Sequence, residues 1–255
     1  MFFGFRSRKP RVRIIPAGER IYAIGDIHGR ADLLVDLLDR IDRDHAARSP
    51  ARRSLIFLGD LVDRGPGSAQ AVDIVRDLCA RGEARLLKGN HEEIFVAAAR
   101  GDPKAARALV AIGGMSTIES YGIAREEAES GGYTRLGELL LERIPREHVD
   151  FLADAEDSIL IGDYLFVHAG IKPGVAIDQQ RKKDMRWIRD EFLNHKRDHG
   201  VMVVHGHTVR EEIDERDNRI GIDTGAFTTG ILTAIGLEND QRWYLQSRID
   251  GLKAA

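Results

Sequence analysis

The sequence predicts an α/β fold, and three observations carry that expectation. Within the first hundred residues, short apolar runs alternate three times with amphipathic helical patterns, the order that builds parallel strands with crossover helices. Polar residues gather at the ends of these runs, where open α/β sheets place their sites. The second half is richer in short strand-like runs, so strands continue beyond the third repeat.

The elements follow in order. Ile21-Tyr22-Ala23-Ile24 reads as a short buried strand entering Gly25-Asp26. A helix follows over 30–45, because Leu33, Leu34, Leu37, Leu38 and Ile41 recur at helical spacing. Ser49-Pro50 breaks it, and a strand spans 54–58. Pro66-Gly67-Ser68 forms a turn and N-cap for a helix over 69–81. Val72, Val75 and Cys79 share its apolar face, which makes Cys79 a small buried residue, not a reactive thiol. A strand at 84–87 delivers Gly89-Asn90-His91 to a helix over 92–99.

Residues 101–155 change character. Gly101-Asp102-Pro103, Gly113-Gly114 and Gly131-Gly132 punctuate helical patches near 104–111, 135–144 and 146–153. This stretch reads as a helical insertion or cap that walls a substrate cleft, within one domain over 19–250. Strands are expected at 157–161, 164–168, 201–205, 219–222, 231–237 and 242–247, with Gly162-Asp163 turning a hairpin. Residues 1–18 read as a basic, flexible tail.

Composition removes several classes of function. A net charge of −3 gives no basic excess, so no nucleic-acid partner is expected. The single cysteine excludes an internal disulfide framework and a thiolate metal cluster, and suits the cytoplasm. No apolar run approaches the roughly 18–20 residues of a transmembrane segment. The start places aromatic residues before basic ones, the reverse of a signal peptide.

Five strand-like runs end in Asp, Asn or His beside glycine: Gly25-Asp26-Ile27-His28-Gly29, Gly59-Asp60-Leu61-Val62-Asp63-Arg64-Gly65, Gly89-Asn90-His91-Glu92, His168-Ala169-Gly170 and His205-Gly206-His207. A lone histidine is ordinarily a hydrogen-bonded core or surface residue, and His45, His148, His195 and His199 are assigned to the surface. Five such clusters together outline a metal site. Asp26 and His28 stand two positions apart, so an extended backbone presents both on one side. Asp60 has two oxygens and can bridge two ions, Asn90 adds a neutral oxygen, and His168 and His207 arrive from the β-rich half. His205 lies one step deeper and is open to a direct or a supporting role. Oxygen and nitrogen donors without sulfur suit manganese, iron or zinc, and six ligands over two ions leave room for water and substrate.

Together these motifs, over roughly residues 20–236, resemble the calcineurin-like metallophosphoesterases, and within them the bacterial and phage phosphoprotein phosphatases. The resemblance implies an αββα sandwich of mixed sheets with helices on the outer faces. It also implies a first divalent ion on Asp26 and His28, a second on Asn90, His168 and His207, and Asp60 bridging, with Mn2+ foremost and iron or zinc as alternatives. It gives Arg64 and Arg189 the substrate phosphate, together with Asn90 and His91. Arg186 is the fallback for Arg189, and a plain surface helix is the alternative for their segment. His91 is implied to protonate the leaving group, oriented by Asp63, while a metal-bridging hydroxide attacks phosphorus.

The expected substrate is phosphoserine or phosphothreonine of proteins, because Asp63 and Glu92 follow the protein-phosphatase pattern. Lys88, where the eukaryotic enzymes usually carry arginine, departs from it. The alternative is a symmetrical diadenosine tetraphosphate hydrolase, which Gly65-Pro66-Gly67-Ser68 and the stretch from Gly221 to Ala234 resemble. Outside enzymes, a non-catalytic metal-binding module is the remaining reading.

Overall fold

The computed structural model describes residues 12–249. The first half runs β1 (Glu19–Ile24), α1 (Ala31–Ala46), β2 (Arg52–Phe57), α2 (Ser68–Ala80), β3 (Ala84–Leu86) and α3 (Asn90–Ala99). The stretch 101–155 then carries α4 (Pro103–Ala111), α5 (Met115–Ser120), α6 (Arg125–Glu129), α7 (Gly132–Arg143) and α8 (Arg146–Ala153). The second half adds β4 (Ser158–Ile161), β5 (Tyr164–Val167), α9 (Lys182–Trp187), α10 (Asp190–Leu193), β6 (Met202–His205), β7 (Asp214–Glu215) and β8 (Arg219–Gly221). It closes with α11 (Ala226–Thr229), β9 (Ile231–Glu238) and β10 (Gln241–Arg248).

Two mixed sheets result, ordered β10-β9-β1-β2-β3 and β4-β5-β6-β8-β7. β1, β2 and β3 are parallel, as the crossover helices require, and β9 and β10 extend their sheet antiparallel. In the other sheet β5, β6 and β8 are parallel between antiparallel edges.

Side-chain alternation along each strand explains the layering. Ile21 and Ala23 of β1 pack with Ile56, Phe166 and Val204 in the core between the sheets. Their neighbours Tyr22 and Ile24 point outward, into the core shared with Leu33, Leu37, Val72 and Phe95 of the helices. On the opposite outer face, Leu165 and Val203 meet Met185 and Phe192. Helix, sheet, sheet and helix therefore stack in four layers, as the αββα expectation requires.

Element boundaries fall within a few residues of the expected ones, and the exceptions have physical causes. α5, α6, α10, α11 and β7 were not read from the sequence; they span two to six residues, too short for periodicity to register. The expected tail over 1–18 is packed from Arg13 onward. Arg13 donates to the Gly200 carbonyl at 2.7 Å and pairs with Asp198, and Ile15 is buried. Residues 1–11 of that tail lie outside the described residues. His148, expected at the surface, is buried on α8, between Asp73 Oδ1 and the Tyr121 hydroxyl at 2.9 Å each. Cys79 is half-buried against the helical core, and burial pushes its thiol up to about 11, consistent with an inert side chain.

Candidate metal centre

The site forms where β1, β2, β3, β5 and β6 end, because the residues just past each strand turn toward one another. The turns are sharp. His28, Asp60, Asp63, Arg64 and His207 all adopt left-handed backbone, with φ of 46, 51, 73, 73 and 64°. Among the described residues Asn239, in the β9–β10 hairpin, is the one other non-glycine in that region. Non-glycine residues pay for this conformation, so the strain is concentrated in the site. Gly206 is needed for a different reason: a Cβ there would overlap Asp26 Oδ1.

Asp60 is the hub. Its Oδ2 stands 3.6 Å from His28 Nε2, 3.8 Å from His91 Nε2 and 3.5 Å from His168 Nε2, too far for good hydrogen bonds. Two groups share it, His28–Asp60–His91 and Asp60–His168–His207, each with ligand atoms within 4.8 Å of one another. Asn90 adjoins the second group, its Oδ1 3.0 Å from His168 Nε2. Asp26 joins neither group but is tied to the second, since its Oδ2 accepts the His207 N–H at 2.9 Å.

The donor chemistry fits divalent cations. His168 Nδ1 donates to the Leu58 carbonyl at 2.8 Å and His28 Nδ1 to the Val62 carbonyl at 2.9 Å. Each Nε2 therefore carries a lone pair. His168 Nε2 faces Asn90 Oδ1 and Asp60 Oδ2, three electron-pair donors with no hydrogen between them. Asp26 Oδ1 and His207 Nε2 are buried without a hydrogen-bond partner. Such orphans are costly unless an ion completes them.

Electrostatics points the same way. Burial lowers His28 to about 3 and His207 to about 2, and lowers His168 as well, so these imidazoles are neutral ligands at physiological pH. Burial alone would raise Asp60, but His168, His91, His28 and His207 around it hold it below the usual carboxylate range. Burial raises Asp26 well above that range, helped by the Asp223 and Asp60 carboxylates. A cation would reverse that repulsion.

Around this centre lie the charges expected to handle phosphate. His91 Nδ1 donates to Asp63 Oδ2 at 2.6 Å. Burial opposes the charged imidazole, yet Asp60 and Asp63 together raise His91 above its ordinary value. Arg64 is exposed at the mouth, its guanidinium 4.4 Å over the Phe227 ring and Nη2 3.2 Å from His91 Nε2. Arg189 is exposed, and its charge helps depress both His168 and His207. Arg186 is buried and already bound to Asp157 and Glu93, which removes it as an alternative anion ligand. His205 turns away from the centre, edge-on to Phe192 at 5.1 Å with Nδ1 on the Gly206 carbonyl.

The sequence marks Glu92 as part of a motif without giving its role, and leaves Asp223, Phe227 and Thr117 out of the site. Glu92 accepts N–H groups from Asp60, Leu61 and Gly89 at 2.8, 2.7 and 2.9 Å, and so stitches β2's exit loop to α3. Its place three residues after Gly89 matches the returning half of a capping box, a signal that was available. Asp223 is pushed up to about 6 by burial and by the Asp60 carboxylate, and its own carboxylate helps to raise Asp26. Phe227 and Thr117 reach the site from remote segments and carry no local signal.

Comparison with known proteins agrees with this geometry. The chain is 28% identical over 231 residues to the asymmetrical bis(5'-nucleosyl)-tetraphosphatase PrpE of Anoxybacillus flavithermus, covering 83% of this chain and 88% of that one. A symmetrical bis(5'-nucleosyl)-tetraphosphatase of Paracidovorax citrulli is 34% identical over 161 residues, 62% of this chain and 46% of the relative. Among solved structures, one provisionally assigned as a diadenosine tetraphosphatase superposes with a TM-score of 0.63 at 21% identity, over 94% of this chain and all of that one. A Saccharomyces cerevisiae protein serine/threonine phosphatase superposes at 0.57 and 13% identity, over 92% and 81% of the two chains. At those identities the likeness is one of fold. Residues 19–227 match the calcineurin-like phosphoesterase family, and the chain belongs to it.

Proposed function

We propose that this protein hydrolyses phosphoric anhydrides and esters at a two-cation centre, with dinucleoside polyphosphates as its main substrates. The expectation from sequence put phosphoserine and phosphothreonine first. The relatives favour the substrate class of the alternative, dinucleoside polyphosphates, and the match of 83% of this chain to 88% of a bis(5'-nucleosyl)-tetraphosphatase is the observation that carries it, although that relative is named asymmetrical where the expectation named a symmetrical hydrolase. The chain is read as one domain over 19–250, with 101–155 inserted, working in the cytoplasm.

In this reading Asp26, His28, Asp60, Asn90, His168 and His207 hold the cations, manganese foremost and iron or zinc next. When bound, the pair supplies charge for the phosphoryl oxygens and activates water. Arg64 and Arg189 donate N–H groups to the phosphoryl oxygens, and the planar guanidinium suits them. His91, its Nδ1 held by Asp63, presents Nε2 to the leaving oxygen. As the phosphorus–oxygen bond breaks, the Nε2 proton passes to that oxygen.

The buried His91–Asp63 pair favours a second activity. A departing nucleoside phosphate is a stable anion that needs little protonation, whereas a departing alkoxide needs a full proton. Phosphoserine and phosphothreonine esters therefore make use of the pair.

Initial rates on diadenosine tetraphosphate, a phosphoserine peptide and a phosphotyrosine peptide, with and without Mn2+, test both readings. Faster turnover of the dinucleotide supports the first, and faster turnover of a peptide replaces it with the second. If protein carrying two bound ions turns over none of the three, a non-catalytic metal module is left.

A further inference from the structure

Thr117 lies on α5, inside the stretch expected to wall a substrate cleft, but its side chain is wholly buried and faces Asp63. Its hydroxyl donates to Asp63 Oδ1 at 2.8 Å and accepts the Asp63 backbone N–H at 2.7 Å. The hydroxyl's single proton is thereby used, so the Ser68 hydroxyl, 3.0 Å away, donates to Thr117 Oγ1. Ser68 Oγ in turn takes a share of the same Asp63 N–H at 3.1 Å. Asp63 Oδ2 faces His91 Nδ1 at 2.6 Å, so each carboxylate oxygen has its own partner.

The grip extends one residue further. The Arg64 N–H donates to the Gly113 carbonyl at 2.9 Å, and a Cβ on Gly113 would come within 3.1 Å of Arg64 Cγ. Asp63 and Arg64 are consecutive, both left-handed, and both fastened to the α4–α5 corner. A backbone in that conformation persists when its surroundings over-determine it.

We infer that Thr117 is a positioning residue for the His91–Asp63 pair, and that the inserted helices clamp the proton-donating apparatus from behind. Without the Thr117 hydroxyl, Asp63 Oδ1 loses its donor in a buried setting, and the carboxylate is free to turn away from His91 Nδ1. The loss then appears where a leaving oxygen needs a proton. This inference rests on the reading that His91 supplies that proton.

The test uses the full chain loaded with Mn2+ and compares Thr117→Val, Thr117→Ser and His91→Asn on a phosphoserine peptide and on nitrophenyl phosphate. Thr117→Val keeps the branched shape and removes only the hydroxyl. It is expected to lower kcat on the peptide roughly tenfold and on nitrophenyl phosphate less than about twofold, one buried hydrogen bond's worth of transition-state support. Thr117→Ser is expected to restore the peptide rate. Should Thr117→Val not fold, Ser68→Ala removes the hydroxyl behind it and is expected to give the same selectivity at smaller size.

If His91→Asn is selective for the peptide but the Thr117 and Ser68 variants slow both substrates alike, or neither, the inference falls and the acid reading stands. Failure of serine to restore the rate has the same consequence. If His91→Asn slows both substrates equally, the acid reading itself falls and takes the inference with it.

Discussion

Arg64 donates an N–H from Nη2 to the Nε2 of His91 across 3.2 Å. The expected proton donor and the expected phosphate ligand thus share one contact. A phosphate group that draws Arg64 away frees Nε2 to carry its proton. Arg64→Ala is therefore expected to weaken competitive inhibition by inorganic phosphate about tenfold to a hundredfold, the worth of a charge-assisted hydrogen bond. Inhibition constants unchanged within a factor of two would remove Arg64 from phosphate binding.

His91→Asn is expected to slow hydrolysis of the phosphoserine peptide roughly a hundredfold, in the lower range for a general acid. Nitrophenyl phosphate, whose leaving group is already a weak base, is expected to lose far less. Steady-state kinetics on the two substrates checks this, and equal losses argue against His91 as the acid.

Asp60 belongs to both candidate ligand groups, so it is the position where one substitution reaches both. Added Mn2+ at a thousandfold over its dissociation constant is expected to stabilise the wild type by about 4 kcal/mol, raising Tm on the order of 10 °C. Asp60→Asn is expected to lose most of that shift. Thermal unfolding with isothermal calorimetry reads it; an undiminished shift places the ions elsewhere.

His205 is buried and its pKa is lowered from 6.5 to about 4 by desolvation. The folded value lies below the unfolded one, so its contribution is complete above pH 6.5 and is lost as pH falls from 6.5 toward 4. The full loss amounts to about 3 kcal/mol by linkage. Asp26, Glu92 and Asp223, raised by burial, titrate in the opposite sense, so the comparison isolates the effect. Denaturant unfolding of metal-free wild type and His205→Gln at pH 7.5 and 5 is expected to show a smaller drop in the variant. Equal drops would contradict a neutral buried His205.

Much of this architecture is legible in the sequence because the parallel strands and their helices are long enough to show period. Leu33, Leu34, Leu37 and Ile41 all lie on the buried side of α1, and the strand-end residues converge because parallel strands deliver their exits to one edge. What escaped notice is non-local. Thr117 stands 54 residues from Asp63, and a threonine on a helix of six residues announces nothing. His148 reads as a surface residue in a charged helix until Asp73, 75 residues away, is brought against it. The difference between Arg186 and Arg189 also lies in their partners: Asp157 and Glu93 bind the first, and the second is exposed.

The five left-handed residues at the strand ends carry a cost for every molecule, whether or not it is turning over substrate. At roughly 1–3 kcal/mol each, such backbone consumes a large part of the stability of an ordinary domain. Cations that bind only the folded chain offset it by mass action. With the proposed cations bound, the fraction of this protein that is folded, and so escapes proteolysis, would depend partly on the supply of divalent metal. Scarcity of metal would deplete the protein itself as well as its activity.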